Sequence, residues 1–324
     1  MSGVFASALD AIGETPMIEL ARYFAGSPHR VFAKCEFLNP GGSIKDRIGR
    51  AMVAEARASG ALAPGGTIVE ATAGNTGIGL ALAAIALGHP LIAVMTTKAS
   101  AEKVQLMAAF GAEVVRCPYA VPPDHRDHFI ATARRIAAAT PGAWFADQFA
   151  NPANRTAHET TTGPEIWRQT GGRVNLLVAG IGTGGTLCGA GAYLKARSPA
   201  TRLVAADPEG SILASCHRGA PAAGAPYLIE GIGGDFVPPL ADLAIIDQVE
   251  TVPDAAAIAA AHRLIRTEGL FAGGSAGTIL AATERVLAAM PAPQRVVVIL
   301  PDGGRSYLST IYHPGWRAAQ GLPA

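Results

Sequence analysis

Short runs of β-branched and aliphatic residues alternate along this chain with longer segments whose apolar positions recur at helical spacing. The runs 31–35, 67–69, 91–95, 113–116, 175–179, 203–206, 244–249 and 295–300 predict strands. Segments 43–59, 75–87, 100–110, 154–169, 185–196, 254–268 and 275–289 predict helices between them. Ser100 is placed to cap the third of these and Gly111 to stop it. Strand and helix in alternation predict an α/β protein with a mainly parallel sheet. No repeat of solenoid length and no low-complexity linker interrupts the pattern.

The stretch Asn39-Pro40-Gly41-Gly42-Ser43-Ile44-Lys45-Asp46-Arg47 sets a lysine in the first turn of a helix, directly after a glycine loop. Ser43 and Asp46 have the spacing of a capping box. Cations are favoured at helix C-termini, so the positive end of the dipole makes the neutral amine of Lys45 easier to reach. A lysine with a lowered pKa suits carbonyl chemistry. A lone lysine is more often a solvated surface residue, so the rest of the chain has to decide.

Composition narrows the class. With 324 residues the chain is long enough for two domains, and 49% apolar against 16% charged residues describes a folded, alanine-rich protein. A net charge of +1 without a charge run gives no footprint for nucleic acid or an anionic membrane. The longest apolar run, 78–87, is too short to span a bilayer, and no signal-peptide pattern is present. Cys35, Cys117, Cys188 and Cys216 are scattered without a Cys-x-x-Cys, which suits a reducing compartment, and a cytoplasmic location is expected. The cluster Asp124-His125-Arg126-Asp127-His128 lacks the ligand spacing of a zinc site and reads as a solvated loop.

Several turns are rich in glycine. Thr72-Ala73-Gly74-Asn75-Thr76-Gly77 would point backbone N–H groups and hydroxyls at a helix N-terminus, a natural anion site; a tight turn needing glycine for sterics reads equally well. Gly180-Ile181-Gly182-Thr183-Gly184-Gly185-Thr186 satisfies G-x-G-x-x-G, and Asp207 follows Gly185 by 22 residues. That is the pattern of a dinucleotide site with its ribose-binding acid, so an NAD-dependent oxidoreductase is a serious rival to a phosphate cup. Gly273-Gly274-Ser275-Ala276-Gly277 opens another helix, with Ser275 either its N-cap or a ligand contact. Gly231-Ile232-Gly233-Gly234-Asp235 would let backbone approach a bound ring, or shape a loop.

Taken in order, these segments resemble the fold-type-II pyridoxal-phosphate enzymes of the cysteine synthase and cystathionine β-synthase group. The resemblance runs from Gly13-Glu14-Thr15-Pro16 to Tyr307 and includes Asp147-Gln148-Phe149 with Asn151-Pro152-Ala153-Asn154. It is nearest to a cystathionine β-synthase catalytic core, through Glu230-Gly231-Ile232-Gly233, Glu268-Gly269-Leu270 and Leu300-Pro301-Asp302 with Arg305-Ser306-Tyr307. The resemblance implies a tryptophan synthase β-subunit-like fold of two three-layer αβα domains. Residues 46–148 would form a smaller, mobile substrate-carboxylate domain, and 1–45 with 149–324 a larger cofactor-binding domain.

It also implies roles. Lys45 would hold the pyridoxal 5'-phosphate aldehyde as a Schiff base and shuttle the substrate Cα proton. Thr72, Ala73, Gly74, Asn75 and Thr76 would grip the substrate carboxylate, with Asn75 also touching the cofactor and Gln148 near the carboxylate. Gly182, Thr183, Gly184, Gly185 and Thr186 would bind the phosphate. Ser275 would meet the pyridine nitrogen, with Asp302 helping to place it, and Gly231 and Gly234 would face the substrate. A serine at the ring nitrogen limits carbanion build-up and favours β-elimination. The expected reaction is β-replacement on serine or an O-activated serine, through an aminoacrylate, with a thiol acceptor. A non-sulfur nucleophile for specialised metabolism is the alternative. A homodimer, sometimes complexed with serine acetyltransferase, is implied as well.

Three departures stand out. Ala73 occupies a position where the family usually has serine, and Gly234 one where cystathionine β-synthases typically have tyrosine. The distances from Gly13 and Tyr307 to the chain ends predict neither a haem-binding extension nor a regulatory domain pair. An amino-acid dehydratase is disfavoured, because Asn75 is followed by Thr76 rather than histidine and the phosphate loop is not a tetraglycine.

Overall fold

A computed structural model of the chain describes residues 4–72, 74–119, 121–122, 124–290 and 293–323. In chain order the elements are β1 (Met17–Glu19), β2 (Arg30–Cys35), α1 (Lys45–Ala58), β3 (Ile68–Ala71), α2 (Asn75–Leu87), β4 (Leu91–Thr96), α3 (Ala101–Ala109), β5 (Glu113–Cys117), α4 (Phe129–Ala139), β6 (Trp144–Phe145), α5 (Pro152–Ala157), α6 (Gly163–Gln169), β7 (Leu176–Gly180), α7 (Gly185–Arg197), β8 (Arg202–Pro208), α8 (Leu213–His217), β9 (Gln248–Val252), α9 (Asp254–Glu268), α10 (Gly274–Ala288), β10 (Arg295–Leu300) and α11 (Pro314–Ala319).

The chain divides into two compact units, one of Met1–Gly13 with Asn39–Asn154 and one of Glu14–Leu38 with Arg155–Ala324. The boundaries fall at 13/14, 38/39 and 154/155, so the first unit takes in Lys45 and more chain than 46–148. Its sheet has the order β5-β4-β3-β6, and every pairing in it is parallel. All four residues of β3 are buried, because helices cover both faces, as a parallel sheet requires. Val69, Ala71 and Val94 pack toward α4 with Ala133, while Ile68 and Glu70 alternate to the opposite face.

The second unit has the order β1-β2-β10-β7-β8-β9, parallel except for β1 against β2. Helix α10 is the centre of its core: Ala276, Ile279, Leu280 and Ala282 are fully buried in one cluster with Val296, Val298 and Leu300 of β10. The two units are α/β throughout, in accord with the expected fold class. No described helix is long and apolar enough to cross a membrane.

Several expectations need correction. β9 starts at Gln248 rather than 244, because Asp242 Oδ1 accepts the Ala244 N–H (3.2 Å) and turns 243–245 into a 3₁₀ turn. The helix expected over 154–169 is broken at 158–162 by a wide π turn. Pro164 supplies the reason, since it has no N–H for an α-helical bond and its ring crowds the carbonyl four residues back. The strands β1 and β6 are too short to show a period, and α4, α8 and α11 escaped the reading of the sequence. Ser43 does not cap α1 as a capping box would: Ile44 is the cap residue, and Ser43 Oγ accepts the Lys45 N–H at 3.1 Å. Asp46 does reach back, to the Gly41 N–H at 2.6 Å. By contrast, Ser100 accepts from Lys103 N–H and Gly111 takes the left-handed conformation, as expected.

Helices α1 and α2 cross at two glycines. A Cβ at Gly79 would lie 2.5 Å from the carbonyl oxygen of Lys45, and one at Gly49 would overlap the backbone of Gly79. Helix propensity alone would make Gly79→Ala stabilising by about 1 kcal/mol. The backbone overlap reverses the sign, and we expect a net loss of about 2 kcal/mol in denaturant unfolding. A variant as stable as the wild type would show that the helices do not meet there.

Candidate active site

In the first unit the glycine crossing sets the start of α1 against the first turn of α2. Lys45 is half-buried at the head of α1. The loop ahead of α2 is drawn together by Thr72, whose Oγ1 accepts the N–H groups of Gly74 (3.0 Å) and Gly77 (3.3 Å). Gly74 has φ +138, and Asn75 opens the helix. Ala73 lies outside the described residues. Thr76 Oγ1 donates to Gln148 Oε1 at 2.6 Å, and Gln148 Nε2 donates to the Ala71 carbonyl at 2.8 Å. A backbone carbonyl can only accept, so the amide nitrogen must face Ala71 and the hydroxyl of Thr76 must be the donor. Thr72, Gly74, Thr76 and Gln148 are thus brought together, beside the helix that Lys45 opens.

Two residues here went unnoticed in the sequence. Lys103, buried on α3, lays its stem over Gly74, where a Cβ would meet its Cδ at 2.7 Å. Glu70 is buried in β3 behind Gln148. Nothing in the local sequence marks either one, because each meets its partner only through the sheet.

In the second unit, Gly182, Thr183, Gly184, Gly185 and Thr186 form the turn from β7 into α7. Gly184 is left-handed at φ +86, and Gly185 N–H donates to Thr183 Oγ1 at 3.4 Å. A second glycine loop backs the turn. Gly233 N–H donates to the Ile181 carbonyl at 2.7 Å, and a Cβ at Gly182 would overlap the carbonyl of Gly231. Gly234 is tied by its N–H to Ser211 Oγ (3.1 Å) and by its carbonyl to the Ile212 N–H (3.0 Å).

His158 is a further residue the sequence did not betray. It is fully buried in the π turn, with Nδ1 on Thr162 Oγ1 (2.9 Å) and Nε2 on Thr186 Oγ1 (3.2 Å). Its hold on Thr186 spans 28 residues of sequence. Such π turns recur at functional sites.

Gly273, not Ser275, is the N-cap of α10, which leaves Ser275 buried in the helix's first turn. Asp302 holds that cap: its carbonyl accepts the Gly273 N–H (3.0 Å) and its carboxylate accepts the Tyr307 hydroxyl (2.5 Å). Burial, with the Asp302 carboxylate beside it, pushes the Tyr307 phenol far up. Asp207 does not behave as a ribose-binding acid. It is buried, and its Oδ2 accepts the Ala214 N–H at 3.1 Å, pinning the turn into α8.

The donor set fits pyridoxal 5'-phosphate. A glycine turn at a helix N-terminus with two threonines suits a phosphate dianion, a serine suits a neutral ring nitrogen, and Lys45 suits the aldehyde. Fold and donors together define a fold-type-II pyridoxal-phosphate enzyme. A family model described as pyridoxal-phosphate dependent enzyme matches residues 8–302, and the chain belongs to that family.

Among curated proteins, the cystathionine beta-synthase of Apis mellifera is 43% identical over 316 residues, 97% of this chain and 62% of that protein. The Oryctolagus cuniculus protein of the same name is 42% identical over 97% of this chain and 57% of its own. This chain therefore spans about three fifths of the length of these relatives. A solved structure of an O-acetylserine dependent cystathionine beta-synthase from Helicobacter pylori superposes with a TM-score of 0.88 at 38% identity, covering 95% of this chain and 98% of that one. The dinucleotide reading of the 180–185 turn is overturned by the family match and by the duty Asp207 performs.

Burial raises the Asp207 carboxyl above its ordinary value. The folded state then binds this proton more tightly than the unfolded chain does. Stability falls as pH climbs from the ordinary carboxylate range through the raised folded value. Asp207→Asn keeps an acceptor for Ala214 and removes the titration. Its unfolding midpoint, measured against wild type, should rise across that window; a difference constant with pH would contradict the assignment.

Proposed function

We propose that the protein catalyses β-replacement on O-acetylserine or serine with a thiol acceptor, of the cystathionine β-synthase or cysteine synthase type. The observation that carries this reading is the first unit's geometry: a lysine-headed helix locked against a glycine turn at a helix N-terminus, with Gln148 tied into that turn through the Thr76 hydroxyl. The curated relatives named above are cystathionine beta-synthases, which supports the reaction class. An O-acetylserine dependent relative supports an O-activated donor.

In this reading the cofactor, when bound, withdraws electrons from the substrate Cα. The chain does the rest. The 182–186 turn would hold the phosphate through N–H groups and the hydroxyls of Thr183 and Thr186, with His158 directing Thr186. Ser275 would meet the ring nitrogen with a neutral hydroxyl, on a helix start that Asp302 and Tyr307 anchor. Thr72, Gly74, Asn75, Thr76 and Gln148 would bind and orient the amino-acid carboxylate. The Lys45 amine would take the Cα proton, and departure of the β-substituent would open Cβ to the thiol. Gly234, held by its backbone to Ser211 and Ile212, offers no side chain to contact the acceptor. A homodimer is part of the same proposal.

The test combines the purified, cofactor-loaded protein with serine or O-acetylserine, and with sulfide or homocysteine, and identifies products by mass spectrometry. Turnover of at least one donor–thiol pair is expected, with Lys45→Ala losing both the cofactor's visible absorption band and activity by several orders of magnitude, on the order of 10³-fold or more. Absence of replacement product from every pair would reject the proposal.

A further inference from the structure

Glu70 is a buried carboxyl that no step above uses. It sits in the middle of β3, opposite Ala93 of β4, with no exposure to solvent. Its Oε2 accepts the backbone N–H of Gln148 at 3.4 Å, and among the described residues Oε1 has no hydrogen-bond partner. Burial and the nearby Asp147 carboxylate push its pKa well up. A buried polar group with an unmet oxygen destabilises a sheet interior, and an apolar side chain of similar size would suit the fold better. The compensation has to come from its contacts, all of which lie on Asp147 and Gln148.

Gln148 is the residue that the proposed function sets against the substrate carboxylate. Adjacent residues of β3 grip both ends of Gln148: Ala71 takes the side-chain amide at 2.8 Å and Glu70 the backbone N–H. Asn154 Nδ2 donates to the Gln148 carbonyl at 2.7 Å from the other side. The residue before it, Asp147, is held at φ +48, a left-handed conformation that disfavours any residue with a Cβ. Such a conformation persists only where the surroundings impose it. Glu70 fixes the peptide N–H immediately after the strained residue, and so fixes where the Gln148 side chain starts.

We propose that Glu70 is a positioning residue for Gln148, holding its amide toward the carboxylate of the amino-acid substrate. The inference rests on the reading of Gln148 as a carboxylate contact. If it is right, Glu70 contributes to binding of the amino acid and leaves the proton transfer at Lys45 alone.

The experiment measures steady-state kinetics of the cofactor-loaded enzyme with its amino-acid donor. Wild type is compared with Glu70→Gln, Glu70→Leu, Glu70→Met, Gln148→Ala and the double variant Glu70→Leu/Gln148→Ala. Glu70→Gln keeps an acceptor for the Gln148 N–H, so its KM should stay within about twofold of wild type. The two apolar variants should raise KM about tenfold at nearly constant kcat, the signature of lost uniform binding. Their cofactor absorption and thermal midpoint should not fall, and a folding failure of one leaves the other to decide. The double variant should be no worse than Gln148→Ala alone. A wild-type KM in the apolar variants, additive losses in the double variant, or a Glu70→Gln as impaired as Glu70→Leu would each overturn the inference. If Gln148→Ala leaves KM unchanged, the carboxylate reading itself fails. If Gln148→Ala raises KM and Glu70→Leu does not, only the role of Glu70 fails.

Discussion

Everything in the first unit depends on α1 and α2 meeting backbone to backbone. Side chains normally hold packed helices 8–10 Å apart. Gly49 and Gly79 remove that spacer, so the first turn of α2 rests directly on the carbonyl of Lys45. The consequence is geometric. The N-terminal end of α2 and the amine-bearing end of α1 become neighbours, though 30 residues separate Lys45 from Asn75 in the chain. Gly41 extends the same logic, because a Cβ there would strike the Asp46 carboxylate at 2.6 Å and prevent the loop from closing onto α1.

The second unit solves a similar problem with loops. The turn after β7 needs glycine at 182 because another glycine loop, 231–234, lies against it and bonds to it through Gly233. The turn leads into the head of α7, where the helix dipole favours an anion. His158 then fixes the hydroxyl of Thr186 from behind, and Asp302 fixes the head of α10. In both units buried polar side chains therefore act at one remove, fixing groups of the glycine turns and the residues beside them.

Much of this was legible in the sequence. The helices Asn75–Leu87 and Asp254–Glu268 follow the apolar period to the residue, since both are bounded by clear stops at Gly88 and Gly269. The glycine turns were visible as glycine turns. Their chemistry was less so, because G-x-G-x-x-G describes a backbone shape that suits a dinucleotide or a single phosphate alike. Asp207 illustrates the limit: its spacing matched a ribose acid, and only its bond to Ala214 gives it another task. Ser275 shows the reverse, since a serine at a helix start reads as a cap until Gly273 is seen to fill that position.

The sequence by itself determined the alternation of strand and helix, the positions where the chain must turn tightly, and the lysine, threonines and serine able to serve a phosphate-bearing cofactor. Those properties are local; they follow from periodicity, from φ freedom at glycine and from the donor inventory of each side chain. Tertiary structure alone decided which residues meet within each unit and which buried groups hold them. Glu70 meets Gln148 across 78 residues and His158 meets Thr186 across 28, and no local pattern encodes either meeting. A contact of that kind exists only once a sheet has closed, because the sheet's register, not the sequence spacing, sets the distance.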